Sequence, residues 1–426
     1  MRIPVLCICL VICTYSFAQK ETGYLLIPDR VFDGERLHTG VSVFVHNDKI
    51  VAIGPTASMK PAGDVVTIKL PGCTLMPGLI EGHSHLLLHP YNETDWNDQV
   101  LKESDAYRVA RATVHAKNTL MAGFTTVRDL GTEGAGYADV GLKKAIEDGI
   151  IAGPRMIVAG RAIVATGSYG PKGFDPDFKV MLGAEAADGN NLIQVVRDQI
   201  GKGADVIKVY ADYRWGVHGE ARPSFSIDEL KLIVETAASS GRPVVAHAGT
   251  EEGMRRAAIA GVSTIEHGDA GTLEIFQLMK EKGVALCPTI SAGYAIAQYK
   301  GWQAGTLPEP DGVKQKRVSY QAAIQAGVTI CAGGDVGVFT HGDNVRELEM
   351  MTEYGMMADA VLRSATSLNA DIFGIGDTTG RIKENLKADI LVVQGDPTKN
   401  ISDLRKIRVV MKDGVLYRNE PEIKSK

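Results

Sequence analysis

The sequence predicts an α/β fold, a (β/α)8 TIM barrel carrying a small β-sandwich built from both chain termini. Three observations lead there. The middle of the 426-residue chain alternates apolar runs of strand length with amphipathic segments of helix length, as parallel βα units buried on both faces do. Both ends instead show short alternating runs bounded by turn residues, the texture of hairpin-connected strands. Eight apolar runs in the middle suit a closed ring better than an open sheet.

The elements follow in order. Arg2 gives a positive start, Ile3 to Thr14 is apolar, and Ser16-Phe17-Ala18 is small at the two positions a signal peptidase reads. Residues 1–18 therefore read as a secretory signal peptide. The apolar run is too short to span a bilayer, and the bulky Ile12 before Cys13 argues against a lipid anchor. The expected mature protein starts at Gln19 and is exported, periplasmic or secreted, with no membrane insertion after signal cleavage. Residues 19–77 and 380–426 are expected to form the small sandwich. Their runs are Tyr24–Pro28, Val41–Val45, Ile50–Ile53, Asp389–Val393, Ile407–Met411 and Val415–Tyr417, with turns at Asp33-Gly34, Asn47-Asp48 and Asp413-Gly414. Residues 78–379 are expected to form the barrel. Its strand candidates are Thr74–Ile80 (crossing that boundary), Thr125–Arg128, Met156–Ala159, Val206–Tyr210, Val244–Ala248, Ser263–His267, Val284–Pro288 and Thr329–Ala332. Helical stretches such as Ile227–Ser239 and Glu252–Ala260 lie between them.

Composition narrows the class. With 45% hydrophobic and 23% charged residues the chain can bury a large core, which excludes general disorder. A net charge of −5 offers no basic footprint, so nucleic acid is not an expected partner. Cys7, Cys9 and Cys13 leave with the signal, and Cys73, Cys287 and Cys331 stand isolated in apolar runs. That pattern is neither a disulfide framework nor a cysteine zinc site, and buried small hydrophobes are expected.

The polar residues at the ends of the apolar runs carry the chemistry. The first run leads into Gly82-His83-Ser84-His85, and alternation puts both imidazoles on one face, able to grip one ion. Lys208 sits inside Val206–Tyr210, where a charged amine is costly. Either it reacts with carbon dioxide to give a carbamate that bridges two cations, or it reaches solvent or a carboxylate. His247, His267 and Asp335 end three further runs, at the rim where such barrels build their sites. Imidazoles and carboxylates suit zinc, with manganese, iron or cobalt as alternatives. Two divalent metal ions would lower the pKa of a shared water and polarise a carbonyl oxygen. Asp335 would act as general base and acid, taking the proton of the bound hydroxide's parent water and giving it to the leaving amine.

His83-x-His85, Lys208, His247, His267 and Asp335, in this strand order, resemble the amidohydrolase superfamily. The texture is most similar to its imidazolonepropionase-like and Xaa-Pro-dipeptidase-like branch, through Leu75–Ile80, Glu266-His267-Gly268, His341–Asn344 and Lys387-Ala388-Asp389. The resemblance implies that His83 and His85 hold the more buried metal, His247 and His267 the exposed one, a carboxylated Lys208 the bridge, and Asp335 both ligand and base. The implied activity is hydrolysis of a C–N bond, amide or peptide-like, in a small substrate. Dipeptidases of this branch have an aromatic residue after His-Ala, where Gly249 stands here, and a His after the third strand, for which Tyr169 is the nearest substitute. Tyr169, Tyr210, Arg214 and His341 are the candidate substrate contacts, Arg214 for a carboxylate. A mononuclear cyclic amidohydrolase or deaminase using part of the set is the alternative, disfavoured by Lys208. A non-catalytic periplasmic binding protein is the reading of another class, disfavoured by the presence of all six residues. A homo-oligomer stays open.

Overall fold

The computed structural model describes residues 23–61, 63–175 and 177–420; the expected signal peptide lies outside them. The two ends of the chain share one sheet. Strand Gly23–Phe32 pairs antiparallel with Val41–His46 and parallel with Val65–Pro77. The other edge of Val65–Pro77 takes Ile390–Gln394, followed by Ile407–Lys412 and Val415–Asn419, all antiparallel. The sandwich is thus one continuous sheet rather than two leaves. Its edge strand Lys49–Pro55 folds over onto the segment that leads into Ile390–Gln394, with Ile50 N donating to Leu386 O at 3.0 Å and Ala388 N to Asp48 O at 2.8 Å. Leu26, Val43, Ile50, Leu75, Ile390 and Val409 fill the enclosed face, each worth about 1.5–3 kcal/mol on burial.

The middle of the chain forms the TIM barrel. Its strands are Leu79–Ser84, Phe124–Asp129, Arg155–Val158, Ile207–Tyr210, Val244–Ala248, Thr264–His267 and Ala285–Cys287. Neighbours pair in parallel within two arcs. Asp205 N and Val206 N donate to Val158 O and join the arcs on one side. On the other side residues 329–336 close the ring, through Cys331 N to Leu286 O at 2.8 Å and Gly82 N to Ala332 O at 2.9 Å.

Two strands differ from expectation. The run Thr74–Ile80 is not one strand. Its first half completes the sheet as far as Pro77, and the barrel strand starts at Leu79. Between them a Cβ at Gly78 would stand 2.1 Å from Thr125 Oγ1, so the crossing tolerates only glycine. The eighth run, Thr329–Ala332, forms no regular strand and is held by single bridges at Ile330 and Val336. Gly333-Gly334 explains this. A Cβ at Gly333 would meet Cys287 Sγ at 2.6 Å and His83 N at 2.7 Å, so the backbone itself presses against the first strand.

The helices are set by local chemistry. Ser226 and Glu229 form a reciprocal capping box that starts Ile227–Ala238. Thr250 and Thr272 cap Glu251–Ala260 and Leu273–Lys282, and Gly261 and Gly283 end those helices in the left-handed region. Ile233, Ala237, Met254, Ala257 and Phe276 turn inward against the strands. Cys73, Cys287 and Cys331 are buried. No helix among the described residues is long and apolar enough to cross a membrane.

Candidate metal centre

The strand ends bring the titratable residues to one mouth of the barrel. Asp335 Oδ1 lies 3.5 Å from His83 Nε2 and 3.3 Å from His85 Nε2. The His267 ring stands 5.2 Å from His83 and 4.4 Å from His247, centroid to centroid. His83, His267 and Asp335 each offer a ligand atom within 4.8 Å of the others, room for one cation. Lys208, 1% exposed, makes no ion pair within 4.0 Å among the described residues; its Nζ is 5.6 Å from the Tyr210 ring.

An outer ring of partners orients these side chains. His83 Nδ1 is 2.9 Å from Glu266 Oε2, and Arg128 Nη2 donates to Glu266 Oε1 at 2.9 Å. His85 Nδ1 lies 2.8 Å from Gly131 O, and His267 Nδ1 2.7 Å from Thr289 Oγ1. In these three rings Nε2 is left for the centre, the arrangement that fixes a metal-binding tautomer. His247 differs, its Nε2 being 3.7 Å from Asp212 Oδ1. Asp212 is itself held by the Gly249 and Thr250 amides at 3.0 and 2.7 Å.

The electrostatics suit a cation. Burial, helped by the Lys208 charge, lowers His83 to about 4. Burial lowers His247 to about 4 against the pull of Asp212, and takes His267 well below its ordinary value. These rings are neutral, the form that ligates. His85 goes the other way: burial opposes its charge, yet the Asp335 carboxylate lifts it to about 9. Asp335 is lowered to about 2, since His83 and His85 outweigh its burial. A positive charge between His85 and Asp335 is therefore favoured. Burial also lowers Lys208, partly offset by Glu266 and Asp335, which brings the amine closer to its neutral, nucleophilic form.

Backbone strain gathers here too. Glu133, His267, Thr289 and Asp335 have φ of 48°, 77°, 49° and 61°, a region costly for residues with a Cβ and concentrated at functional sites. For Asp335 the turn follows from Gly333-Gly334 and aims the carboxylate between His83 and His85.

A cavity of about 740 Å³ opens on the centre. His83, His85, His247, His267 and Asp335 line it, with Tyr169, Tyr210 and Arg214 among the walls; Lys208 does not line it. The chain after the Ile207–Tyr210 strand forms a small hairpin, Asp212–Arg214 against Ala221–Pro223. His341 is a correction. It does not line this cavity; its Nε2 lies 3.0 Å from Leu88 O and its ring stacks 4.3 Å from His115. Its place is behind the segment following His85, as a structural support. Sequence reasoning missed Arg128, Glu266, Asp212, Glu81 and Glu133. Arg128 and Glu266 carry a signal close to the one that singled out Lys208, a charge within or ending an apolar run. Glu81, lifted to about 7 by burial against three hydrogen-bond donors, carries it as well. Glu133 lies in a loop and Asp212 opens the short hairpin strand Asp212–Arg214, and neither gives a periodic signal.

Comparisons with known proteins bear on the family and the fold. The profile of the amidohydrolase family matches residues 74–417. Ochratoxinase of Aspergillus niger is 32% identical over 431 residues, covering 92% of this chain and 85% of that protein. A crystal structure of a Xaa-Pro dipeptidase with methionine bound in its active site superposes with a TM-score of 0.83. It is 31% identical, over 93% of this chain and 100% of that one. The crystal structure of A. niger ochratoxinase gives a TM-score of 0.80 at 27% identity, over 94% and 96% of the two chains. With most of its length matched by the family profile and its fold shared with these enzymes, the chain belongs to the amidohydrolase family.

Proposed function

We propose that the protein is a binuclear metallohydrolase that cleaves an amide or peptide-like C–N bond in a small substrate. The observation that carries this reading is the convergence of neutral imidazoles and one low-pKa carboxylate on a cavity large enough for a small ligand. The hydrolase class itself is that of the ochratoxinase and Xaa-Pro dipeptidase relatives.

His83 and His85 would hold one divalent cation and His247 and His267 the other, zinc being the ion this donor set suits. When bound, the two ions would lower the pKa of a water and polarise the scissile carbonyl. Lys208 would join them as a carbamate. Its neutral amine forms an N–C bond to carbon dioxide and one proton is released. Asp335, poised between His83 and His85, would take the proton of the attacking water and deliver it to the departing nitrogen. Arg214 at the cavity wall would pair with a substrate carboxylate, and Tyr169 and Tyr210 would pack against its body. The signal-like first residues support an exported enzyme, periplasmic or secreted.

A mononuclear reading, as in a cyclic amidohydrolase or deaminase, is favoured by one observation: His83, His267 and Asp335 bring their ligand atoms within 4.8 Å of one another, a set that fits a single ion. Metal content decides between the two. Two ions per chain, both lost in Lys208→Ala, and retained metal without turnover in Asp335→Asn are expected, tested with a panel of N-acyl amino acids and dipeptides. One ion per chain, indifferent to Lys208→Ala, would install the mononuclear reading.

A further inference from the structure

The cavity holds an acidic side chain that the hydrolytic chemistry does not use. Glu133 lies in the loop after the second barrel strand, is 4% exposed, and lines the cavity. Its Oε2 accepts from Tyr169 Oη at 2.7 Å and from Trp96 Nε1 at 3.0 Å. Its Oε1 has only the Tyr210 hydroxyl at 3.5 Å, too long to satisfy a carboxylate oxygen. Among the described residues no cationic group pairs with it within 4.0 Å. Arg108 is near, but its guanidinium is spent on the backbone carbonyls of Leu87, Thr132 and Glu133.

What surrounds Glu133 is aromatic. The Tyr169 ring lies 4.6 Å from both Tyr210 and Tyr213 and 5.4 Å from Trp96. Burial, then the Glu133 charge, raises the Tyr169 phenol well above its ordinary value, so it remains an O–H group that donates to Glu133. A buried carboxylate with an unspent oxygen, set among the polar ends of aromatic side chains and open to a ligand cavity, is chemistry that recognises an ammonium group. A substrate carboxylate placed there would meet repulsion instead.

The subsite also has a position relative to the metal centre. The point a Cβ on Gly131 would occupy is 3.4 Å from Glu133 Oε1 and 3.6 Å from His85 Cε1. An α-amine stands only about 2.5 Å from its own carbonyl carbon, so a carbonyl near His85 places the amine of the same residue within reach of Oε1. We propose that Glu133, with Tyr169, Tyr210 and Tyr213, forms an ammonium-binding subsite, and that the substrate carries a free amine on the acyl side of the scissile bond. This rests on the amide-hydrolase reading and narrows its substrate from N-acylated amino acids to peptides with a free N-terminus.

Two measurements on the metal-loaded full chain test it. Benzylammonium and its neutral isostere benzyl alcohol are titrated against wild type and Glu133→Gln by calorimetry, which needs no turnover. At neutral pH wild type should prefer the ammonium by at least about tenfold, and Glu133→Gln should bring the pair within about twofold. Equal affinities in wild type, or an ammonium preference that survives Glu133→Gln, overturn the subsite. The wild-type comparison stands alone if the variant does not fold. Turnover of a dipeptide is then set against its N-acetyl form, with the free amine expected to win by a similar factor in kcat/KM. N-acetyl turnover equal to or above the free dipeptide's overturns the inference and leaves the hydrolase intact. Ammonium-selective binding with no amide cleaved would leave the subsite and sink the hydrolase reading.

Discussion

Replacing Glu266 by Gln removes one negative charge and almost no volume, and its cost can be worked from its neighbours. Glu266 is fully buried and serves His83 Nδ1, Arg128 Nη2 and the Thr264 hydroxyl. Arg128 is 2% exposed. Its remaining contacts, Gly82 O, Thr264 Oγ1 and the Phe373 ring, are all neutral. Glu266→Gln therefore leaves a buried cation without a counter-charge, a loss of about 3–5 kcal/mol. The carboxamide also has one acceptor oxygen where the carboxylate had two, so His83 or Arg128 faces an NH2 group. A metal-binding His deprived of its outer acceptor loses about 10–100-fold in metal affinity. The assay is the urea midpoint of metal-stripped Glu266→Gln, Arg128→Met and the double variant, with zinc affinity measured by chelator competition. The double variant should be more stable than Glu266→Gln alone, because removing both charges removes the unpaired cation. Burial would raise the Glu266 pKa, but Arg128 and His83 hold it far below the usual carboxylate range. Its contribution is present above the unfolded value of about 4.3 and is lost as pH falls through the folded one; the variant should lack that acid-side loss. A single-variant cost under about 1 kcal/mol, or strict additivity in the double variant, would refute the pairing argument.

Other perturbations have equally direct readings. Burial and the neighbouring Asp129 charge lift Asp139 to about 7. A raised carboxylate pKa gives stability that declines as pH rises from about 3.9 toward 7, so Asp139→Asn should flatten the fall in Tm between pH 5 and 8. An unchanged slope would refute this. Gly333→Ala forces a methyl toward His83 N and Cys287 Sγ and should cost about 1–3 kcal/mol together with metal content; full metal retention would show that the eighth strand can shift freely. Ser226→Ala removes the side-chain half of a capping box, leaving the Ser226 amide on Glu229 Oε2, and should lower stability by about 1 kcal/mol, read by denaturant midpoint, with no change in metal content.

The barrel is legible because a parallel strand buried on both faces is an uninterrupted apolar run. Phe124–Asp129, Arg155–Val158 and the strands from Ile207 to Cys287 lie within one residue of the sequence-derived bounds. The first and eighth runs mislead for a common reason: close backbone contact replaces side-chain pattern there, at Gly78 and at Gly333-Gly334. His83, His85, His247, His267 and Asp335 are visible as candidates because a polar group ending an apolar run is unusual. Glu133 and Asp212 are not: their side-chain partners lie 36 to 77 and 35 to 38 residues away in sequence, and neither ends an apolar run. His341 misleads for the opposite reason. It follows the last strand closely, yet chain proximity to the mouth does not decide which way a buried ring turns.

The shared terminal sheet has a consequence for how the protein is made. During vectorial synthesis Gly23–Phe32 and Val65–Pro77 leave the ribosome hundreds of residues before Ile390–Gln394, which covers the second edge of Val65–Pro77. For that interval a nascent chain presents a strand edge carrying the apolar Leu75 and Met76, a template for misassociation. Ribosomal stalling or truncation before residue 390 would leave that edge open for good. That late strand thus works as a completion check: only a chain translated through Gln394 can cover the second edge of Val65–Pro77.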